Sequence, residues 1–593
     1  MAHLLSRRDL DFLLYEWLDI TSLTDRDRFS AHSRDTFDGV LDLSSEMAGK
    51  LFAPHNKAGD QSPPRLGDDG RVELIDDVKT ALDAYAAADL IAAAFPESLG
   101  GLDLPTTISR ASMAWFQAAN PGTSSYALLT TANANLLAAH GSPEQIDTWV
   151  RPMLRGDFSG TMCLSEPQAG SSLADITTKA LPVGDGTYRI SGTKMWISGG
   201  EHELTDNIVH LVLAKTPGGG PGVKGISLFI VPKLLPDGTR NDVALVGLNH
   251  KMGNRGTSNT LLNFGDGTHP VTGGTGAVGY LVGEEHRGLT YMFHMMNEAR
   301  IGVGFLATAI GYAGYLASVD YAKVRTQGRP VAGRDPAAGP VPIIEHADVK
   351  RMLLAQKSYV QGALALGLYC SRLVDIEATS DGDERARTHL LLEVLTPIAK
   401  AWPSQWCLEA NSLAIQVHGG YGYTTEFDVE QCYRDNRLNP IHEGTNGIQG
   451  LDLLGRKVVM ADGAGLALLI ETITATIEAT PAGGAPAEFA AALRIAITDL
   501  AATTAALWAD GNPAVALTNS SVYLQAAGHI VIAWMWLEQL IAVGDSAGAF
   551  YDGKRAAARY FFRFELPSTR PQLALLASLD QTTAQTDPAW FTS

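Results

Sequence analysis

The chain has 593 residues, more than one hydrophobic core usually supports, so several domains of ordinary size are expected. Its formal net charge of -19 argues against nucleic acid or an anionic membrane surface as a partner, because both reward clustered Lys and Arg. Cys163, Cys370, Cys407 and Cys432 are scattered without CxxC spacing, which argues against a disulfide framework or a zinc site and favours a reducing, cytoplasmic location.

The first stretch, MAHLLSRRDLDFLLYEWLDI, breaks its apolar positions with Asp and Glu and reads as helix rather than export signal. Helical text runs to about residue 50, followed by a loop from Ala53 to Gly70 rich in Pro, Gly and Asp. Helical spacing resumes in KTALDAYAAADLIAAAF, a turn follows at Phe95 to Gly101, and further helices reach about Gly156. Residues 1–74 are therefore expected to form an N-terminal helical extension, and residues 75–157 an α domain. From Ser159 the period becomes that of strands. GTMCLSE, TYRISGTKMWISG, DNIVHLVLAKT, KGISLFIVPK and TSNTLLNF alternate or run apolar between turn residues, which predicts an antiparallel β domain over 158–280.

Helical spacing returns at Leu289 and persists to Met460, predicting an α bundle over 281–462 with a Pro-rich loop at 328–342 between two long helices. Residues 301–319 are uncharged and long enough to span a bilayer. Close flanking charges at Glu298, Arg300, Asp320 and Lys323, and no second comparable span, favour a buried helix packed through Gly302, Gly304, Gly311 and Gly314. A break at Thr480 to Pro486 falls within a further helical domain over 463–593, so the class is α+β with several domains.

Four stretches can carry chemistry. SEPQAGSS, Ser165 to Ser172, offers serines and a glycine that let backbone N–H groups approach a phosphate, although an ordinary β-turn accounts for it equally well. In KMWISGG, Lys194 to Gly200, strand alternation would put Trp196 and Ser198 on one face, the indole suiting either an aromatic cofactor or the β core. In QVHGGYGY, Gln416 to Tyr423, a helix is expected to stop at Gly419 and Gly420. In NPIHEGTNGIQG, residues 439–450, Thr445 is a good N-cap for a helix carrying Ile448, Leu451, Leu454 and Val458 on one face. Glu443 then sits where the helix dipole favours its ionised form, while apolar walls would push its pKa up toward the range of a general base. Taken alone, that stretch reads slightly better as a surface capping carboxylate.

In combination these stretches, with NEARIGVG and VRTQGR between them in the order found, resemble the flavin-dependent acyl-CoA dehydrogenases over roughly residues 75 to 460. The resemblance implies an N-terminal helical domain, a middle antiparallel β-barrel domain and a C-terminal helical bundle that hold FAD, in homodimers or dimers of dimers. It implies Leu164, Ser165, Trp196 and Ser198 at the isoalloxazine ring and Gly170 and Ser171 near the pyrophosphate, with Ser171 also on the substrate side. Arg325, Gln416, Gly419 and Gly420 would reach the FAD of the neighbouring subunit, and Thr445 the adenosine diphosphate side. Arg300, His442 and Gly444 would contact substrate, Arg300 at a position that meets the CoA moiety in relatives. Glu443 matches the catalytic base. The implied reaction takes the α proton of an acyl-CoA onto Glu443 and the β hydrogen as hydride onto the flavin, giving a trans-2-enoyl-CoA, and passes electrons to an electron-transferring flavoprotein. No metal, nucleic acid or membrane insertion is implied.

The chain departs from the common pattern at His442, where an aromatic residue is usual, at Gly447, and in VRTQGR, which lacks the usual Phe. His442 either titrates near neutrality and tunes Glu443 or simply packs in the wall. The extension beyond residue 462 and the text DFLLYEWLDI match a long bacterial branch, and the tail implies a dimer. That branch includes 3-methylthiopropanoyl-CoA dehydrogenases of dimethylsulfoniopropionate (DMSP) degradation and dehydrogenases of ordinary fatty acyl-CoAs in β-oxidation. An oxidase that returns electrons to O₂ and a catalytically silent scaffold are the alternatives.

Overall fold

The computed structural model describes residues 4–272, 274–329 and 339–592, without side chains at 294–297, so most of the expected Pro-rich loop at 328–342 lies outside the described residues. The chain divides into two compact units. One is His32–Ala299; the other joins the first residues, up to Ala31, to everything from Arg300 onward.

In the first unit, the helix Asp76–Ala87 opens on two acidic residues and buries Val78, Ala81 and Tyr85 on one face. It stops short of the apolar run that follows it. Asp89 adopts a left-handed φ of 56°, and Leu90 to Ala93 are buried as turns instead of helix. The loop expected from Ala53 begins only after Gln61, because Ala53–His55 and Asn56–Gln61 are wound as helical turns. A small hairpin follows, strands β1 (Arg65–Leu66) and β2 (Val72–Glu73).

The β domain contains β3 (Phe158–Cys163), β4 (Lys179–Pro182), β5 (Thr187–Ser198), β6 (Asn207–Lys215), β7 (Ile226–Pro232), β8 (Val243–Leu248), β9 (Asn259–Phe264) and β10 (Ala277–Leu281). They are ordered β10-β7-β6-β4-β5-β9-β8, and β10 also pairs with β5 to close the sheet. The expectation of an antiparallel domain needs one correction, since β3 runs parallel to β6 over six residue pairs and β4 meets β6 in parallel at Lys179. The chain between β3 and β6 is long enough for the crossover that a parallel pair requires. Ile190, Val212, Phe229, Leu262 and Phe264 fill the interior.

Two irregularities in this sheet shape its surface. Pairing between β5 and β9 shifts register between Met195 and Ile197, and the extra residue, Trp196, takes a φ of 67°. The plain alternation that would set Trp196 and Ser198 on one strand face is therefore broken, and the indole is 57% exposed instead of plugging the core. Beyond β3, the Glu166 carboxylate accepts from Thr177 N (2.7 Å), Thr178 N (3.0 Å), both threonine hydroxyls and the fully buried Lys194 ammonium (3.0 Å). Burial alone would raise its pKa, but Lys194 and these hydrogen bonds outweigh it and hold Glu166 at about 2.

In the second unit, the helices Gly288–Val324, Ala347–Ala378 and Gly382–His418 form the bundle, of which Gly288–Val324 begins in the first unit. Gly304 permits close approach: a Cβ there would lie 2.0 Å from the Ala399 carbonyl, whose helical donor is missing because Pro403 has no N–H. Gly311 and Gly314 likewise meet Cys407 and Asn411, as the glycine spacing predicts. Residues 301–319 do not, however, stand alone as an apolar span. Met460–Ala479, Gly484–Leu507 and Ser520–Val543 are also long and apolar enough to cross a membrane. Ser520–Val543 buries 83% of its apolar window, and in Met460–Ala479 the exposed positions are Ala, Glu and Asp while Leu466, Leu468, Leu469, Ile473 and Ile477 are buried.

The N-terminal segment is fixed to the far end of the chain by a buried charge. Asp9, fully buried, pairs with the Lys554 ammonium and accepts from the Tyr312 hydroxyl at 2.9 Å. Lys554 also donates to Gln539 (2.8 Å) and lies 4.9 Å from the Phe12 ring centroid. At the rim, Trp17 donates to Glu538 (3.2 Å), and Tyr551 bridges Arg8 and Glu16.

Removing one partner of such a pair leaves a buried charge uncompensated. Asp9→Ala is expected to destabilise the second unit by about 3–5 kcal/mol, read from its denaturant midpoint. Asp83→Ala, which breaks the exposed pair with Lys79, should change stability by less than about 1 kcal/mol. The lowered pKa of Glu166 means that its stabilising contribution is complete above the ordinary carboxylate range and is lost as pH falls toward 2. Lys194→Met should therefore move the acid-unfolding midpoint of the β domain to higher pH, followed by tryptophan fluorescence.

Candidate active site

The loop that carries Glu443 leaves the helix Val429–Asn436 and enters the helix Asn446–Asp452. A chain of buried asparagines fixes its start. Asn439 donates to Asn436 Oδ1 (2.9 Å), and Asn436 donates to Asn411 Oδ1 (2.7 Å) and to the Ala307 carbonyl (3.0 Å). Lys400, with no exposed surface, donates from Nζ to the Asn439 carbonyl at 2.7 Å. Beyond the loop, buried Arg300 donates to Asp452 Oδ2 (2.8 Å), whose other oxygen is 2.8 Å from Arg456. Two cations from two bundle helices thus hold the ends of the segment that presents Glu443.

The middle of the loop is bent backward. Glu443 has a φ of 53° and Gly444 a φ of 88°, consecutive left-handed residues. The Gln449 amide donates to the Glu443 carbonyl (3.2 Å) and the Gly444 carbonyl (3.4 Å), and a Cβ at position 444 would come within 2.5 Å of it. Thr445 is the N-cap, its hydroxyl accepting from Ile448 N at 3.2 Å.

Burial raises the Glu443 pKa, and Lys400 and Arg300 offset this only in part. Glu443 is partly buried, and the reading as an exposed capping charge does not hold. Burial pushes Lys400 down to about 7 and, with help from Lys400, His442 down to about 3. At that value His442 carries no charge near pH 7.

A second feature of this unit is a cavity of about 420 Å³ lined by Tyr321, Arg325, His418, Gly419, Gly420 and Tyr421, among others. The helix ends there at Gly419, φ 62°, and a Cβ on Gly419 or Gly420 would meet nothing within 4 Å. Tyr321 stacks on His418 at 4.2 Å and the Arg325 guanidinium lies over Tyr421 at 5.6 Å. Gln416, exposed, lies just before on the same helix. A cation, open backbone and flat aromatic surfaces suit a nucleotide bearing a pyrophosphate.

In the first unit, the strand end and the bulge bring another set together. The Ser165 carbonyl accepts from Met195 N (3.0 Å) and the Leu164 carbonyl from Lys194 Nζ (3.0 Å), so the turn after β3 lies against β5 beside Trp196. Ser198 accepts from Asn259 (3.1 Å), and Gly170 and Ser171 are exposed further along the turn. An indole held out on a bulge beside a turn built around Glu166 fits a flat cofactor ring. Sequence reasoning missed Lys400, Gln449, Asp452 and the Glu166–Lys194 pair. Lys400 left one signal, as the single charged residue between Val394 and Leu408.

Family profiles described as the acyl-CoA dehydrogenase N-terminal, middle and C-terminal domains match residues 69–157, 161–266 and 286–458, and one described as acetyl-CoA dehydrogenase C-terminal like matches 469–587. The 3-methylmercaptopropionyl-CoA dehydrogenase of Ruegeria pomeroyi is 36% identical over 93% of this chain and 94% of its own. A broad-specificity linear acyl-CoA dehydrogenase of Mycobacterium tuberculosis is 32% identical over 100% of both. An acyl-CoA dehydrogenase from Bacillus anthracis solved with FAD shares the fold, with a TM-score of 0.73 at 19% identity over 98% of this chain and 95% of that one. The chain, then, belongs to the acyl-CoA dehydrogenases, a family of flavin-dependent oxidoreductases.

Proposed function

We propose that this protein is an FAD-dependent dehydrogenase that converts an acyl-CoA thioester to its trans-2-enoyl form, with Glu443 as the proton acceptor. The raised pKa of Glu443, a partly buried carboxylate on a left-handed loop, supports this reading most directly. A carboxylate with increased proton affinity is the stronger base toward an α-carbon proton. When bound, FAD supplies the acceptor for the hydride that leaves the β carbon. The thioester oxygen gains negative charge as the α proton departs. The Glu443 N–H donates to no acceptor among the described residues and is free to stabilise that charge.

In this reading Leu164, Ser165, Gly170, Ser171, Trp196, Ser198 and Thr445 hold the cofactor, and Ser171, His442 and Gly444 face substrate. Arg300 is buried on Asp452, so it acts by its charge on Glu443 and not by gripping CoA. Arg325, Gln416, Gly419 and Gly420 would serve the FAD of a second subunit. The exposed Val324, Tyr421 and Tyr423 beside them support a homodimer. Electron-transferring flavoprotein is the proposed acceptor, and the four unpaired thiols suit a cytoplasmic location.

For substrate we favour 3-methylthiopropanoyl-CoA, on the strength of the Ruegeria relative. Ordinary linear acyl-CoAs are the second reading, supported by the mycobacterial relative that matches along its whole length. A thioether sulfur and a methylene are nearly isosteric, so kcat/KM across a panel of acyl-CoAs with an artificial acceptor decides between them.

Glu443→Gln should lower turnover by at least ~10²–10⁴ while the purified protein keeps its flavin absorbance, and undiminished turnover would refute the assignment. His442, with a pKa lowered to about 3, stays neutral as pH rises from there. His442→Asn should accordingly leave both limbs of the pH profile of kcat in place, even if KM changes.

A further inference from the structure

We propose that Lys400 is a positioning residue for the base: one buried ammonium holds the Asn439 carbonyl at the start of the loop and sets a positive charge against the Glu443 carboxylate. The inference rests on the reading of Glu443 as proton acceptor and concerns what fixes that group in place and in charge.

Lys400 has no exposed surface, and its hydrogen bond to Asn439 O at 2.7 Å reaches from the bundle helix Gly382–His418 to the loop four residues before Glu443. A buried ammonium with a backbone carbonyl as its hydrogen-bonded partner has no neutralising contact there. The charge that compensates it is Glu443, which is also the group it acts on most among its neighbours. Of the other charged groups near the loop, Arg300 also acts on Glu443 but is already paired. Arg300 and Arg456 share Asp452, and His442 is neutral. Lys400, with no carboxylate bonded to it, is the stronger of the two cations that act on the base. Its placement is reinforced by the close packing of Gly304 on the neighbouring Ala399 carbonyl and by Ser404, whose hydroxyl donates to the Lys400 carbonyl at 2.6 Å.

A residue that merely filled space would leave the protonation of Glu443 untouched, and this separates the two roles. In the FAD-loaded protein without substrate, the infrared C=O band of protonated Glu443, identified by its loss in Glu443→Gln, reports the carboxyl directly. Its titration midpoint should rise by about one pH unit or more in Lys400→Met and in Lys400→Gln, which keeps a donor for Asn439 but lacks the charge. Lys400→Arg should keep the wild-type midpoint. In parallel, the acid limb of kcat/KM for butyryl-CoA should move up with the neutral variants. An alkaline limb arising from Lys400, whose pKa burial lowers to about 7, should vanish in Lys400→Arg. A Glu443 midpoint unchanged in both neutral variants overturns the proposal. If neither neutral variant folds, an alkaline limb that persists in Lys400→Arg does so. Because the infrared midpoint does not require turnover, full activity in Glu443→Gln would remove the proposed function while the coupling to Lys400 was still measured.

Discussion

A carboxylate that accepts a proton from carbon must be shielded enough from water to want the proton, yet be able to ionise before it does. In the proposed reading, Lys400 and Arg300 supply the positive charge that meets the second condition. Gly304 lets two long helices approach until the segment bearing Lys400 lies against its neighbour. Asn411, Asn436 and Asn439 then anchor the loop to those helices, and Arg300 with Asp452 anchors the helix that follows. Between the anchors the backbone turns left-handed twice, so that Glu443 and Gly444 present their carbonyls to Gln449.

The first unit solves a related problem with the opposite balance. Glu166 is buried too, but its hydrogen bonds and Lys194 are so complete that it is locked in the ionised form. It organises the turn after β3. Two buried carboxylate and lysine arrangements in one chain thus have different ends. A carboxylate saturated with donors is a structural post, whereas one facing a cation that is bonded elsewhere retains its appetite for a proton.

Much of this was legible in the residues, and the limits have physical causes. The change from helical to strand period and back is local information, as are the glycine stop at Gly419 and the Thr445 cap, and each stands in the structure. Periodicity reports that a face is buried but not what buries it. Hence the parallel pairing of β3 with β6, the joining of the first residues to the last helices, and the partners of Lys400 were invisible. The bulge at Trp196 was hidden because its residues obey strand propensity while the register of β9 dictates the break. The early end of the helix at Ala87 likewise runs against an alanine-rich stretch that favours continuation, and tertiary packing of Leu90 and Ile91 wins. For the site, motif order led to Glu443, while the groups that set its charge came from elements distant in sequence.

The contact between Arg8 and Tyr551, side chains 543 residues apart, sets a timetable for the newly made chain. Residues 32–299 are contiguous and can condense while synthesis continues, since domains generally fold as units in the order they emerge. The segment up to Ala31 is made before them, yet it meets Tyr312, Tyr369 and Thr379 only once those residues have been made, and the helix of Lys554 later still. Asp9 lacks its neutralising ammonium until residue 554 has been made. The second unit is therefore completed late, and a chain cut short before residue 554 lacks the lysine that neutralises Asp9.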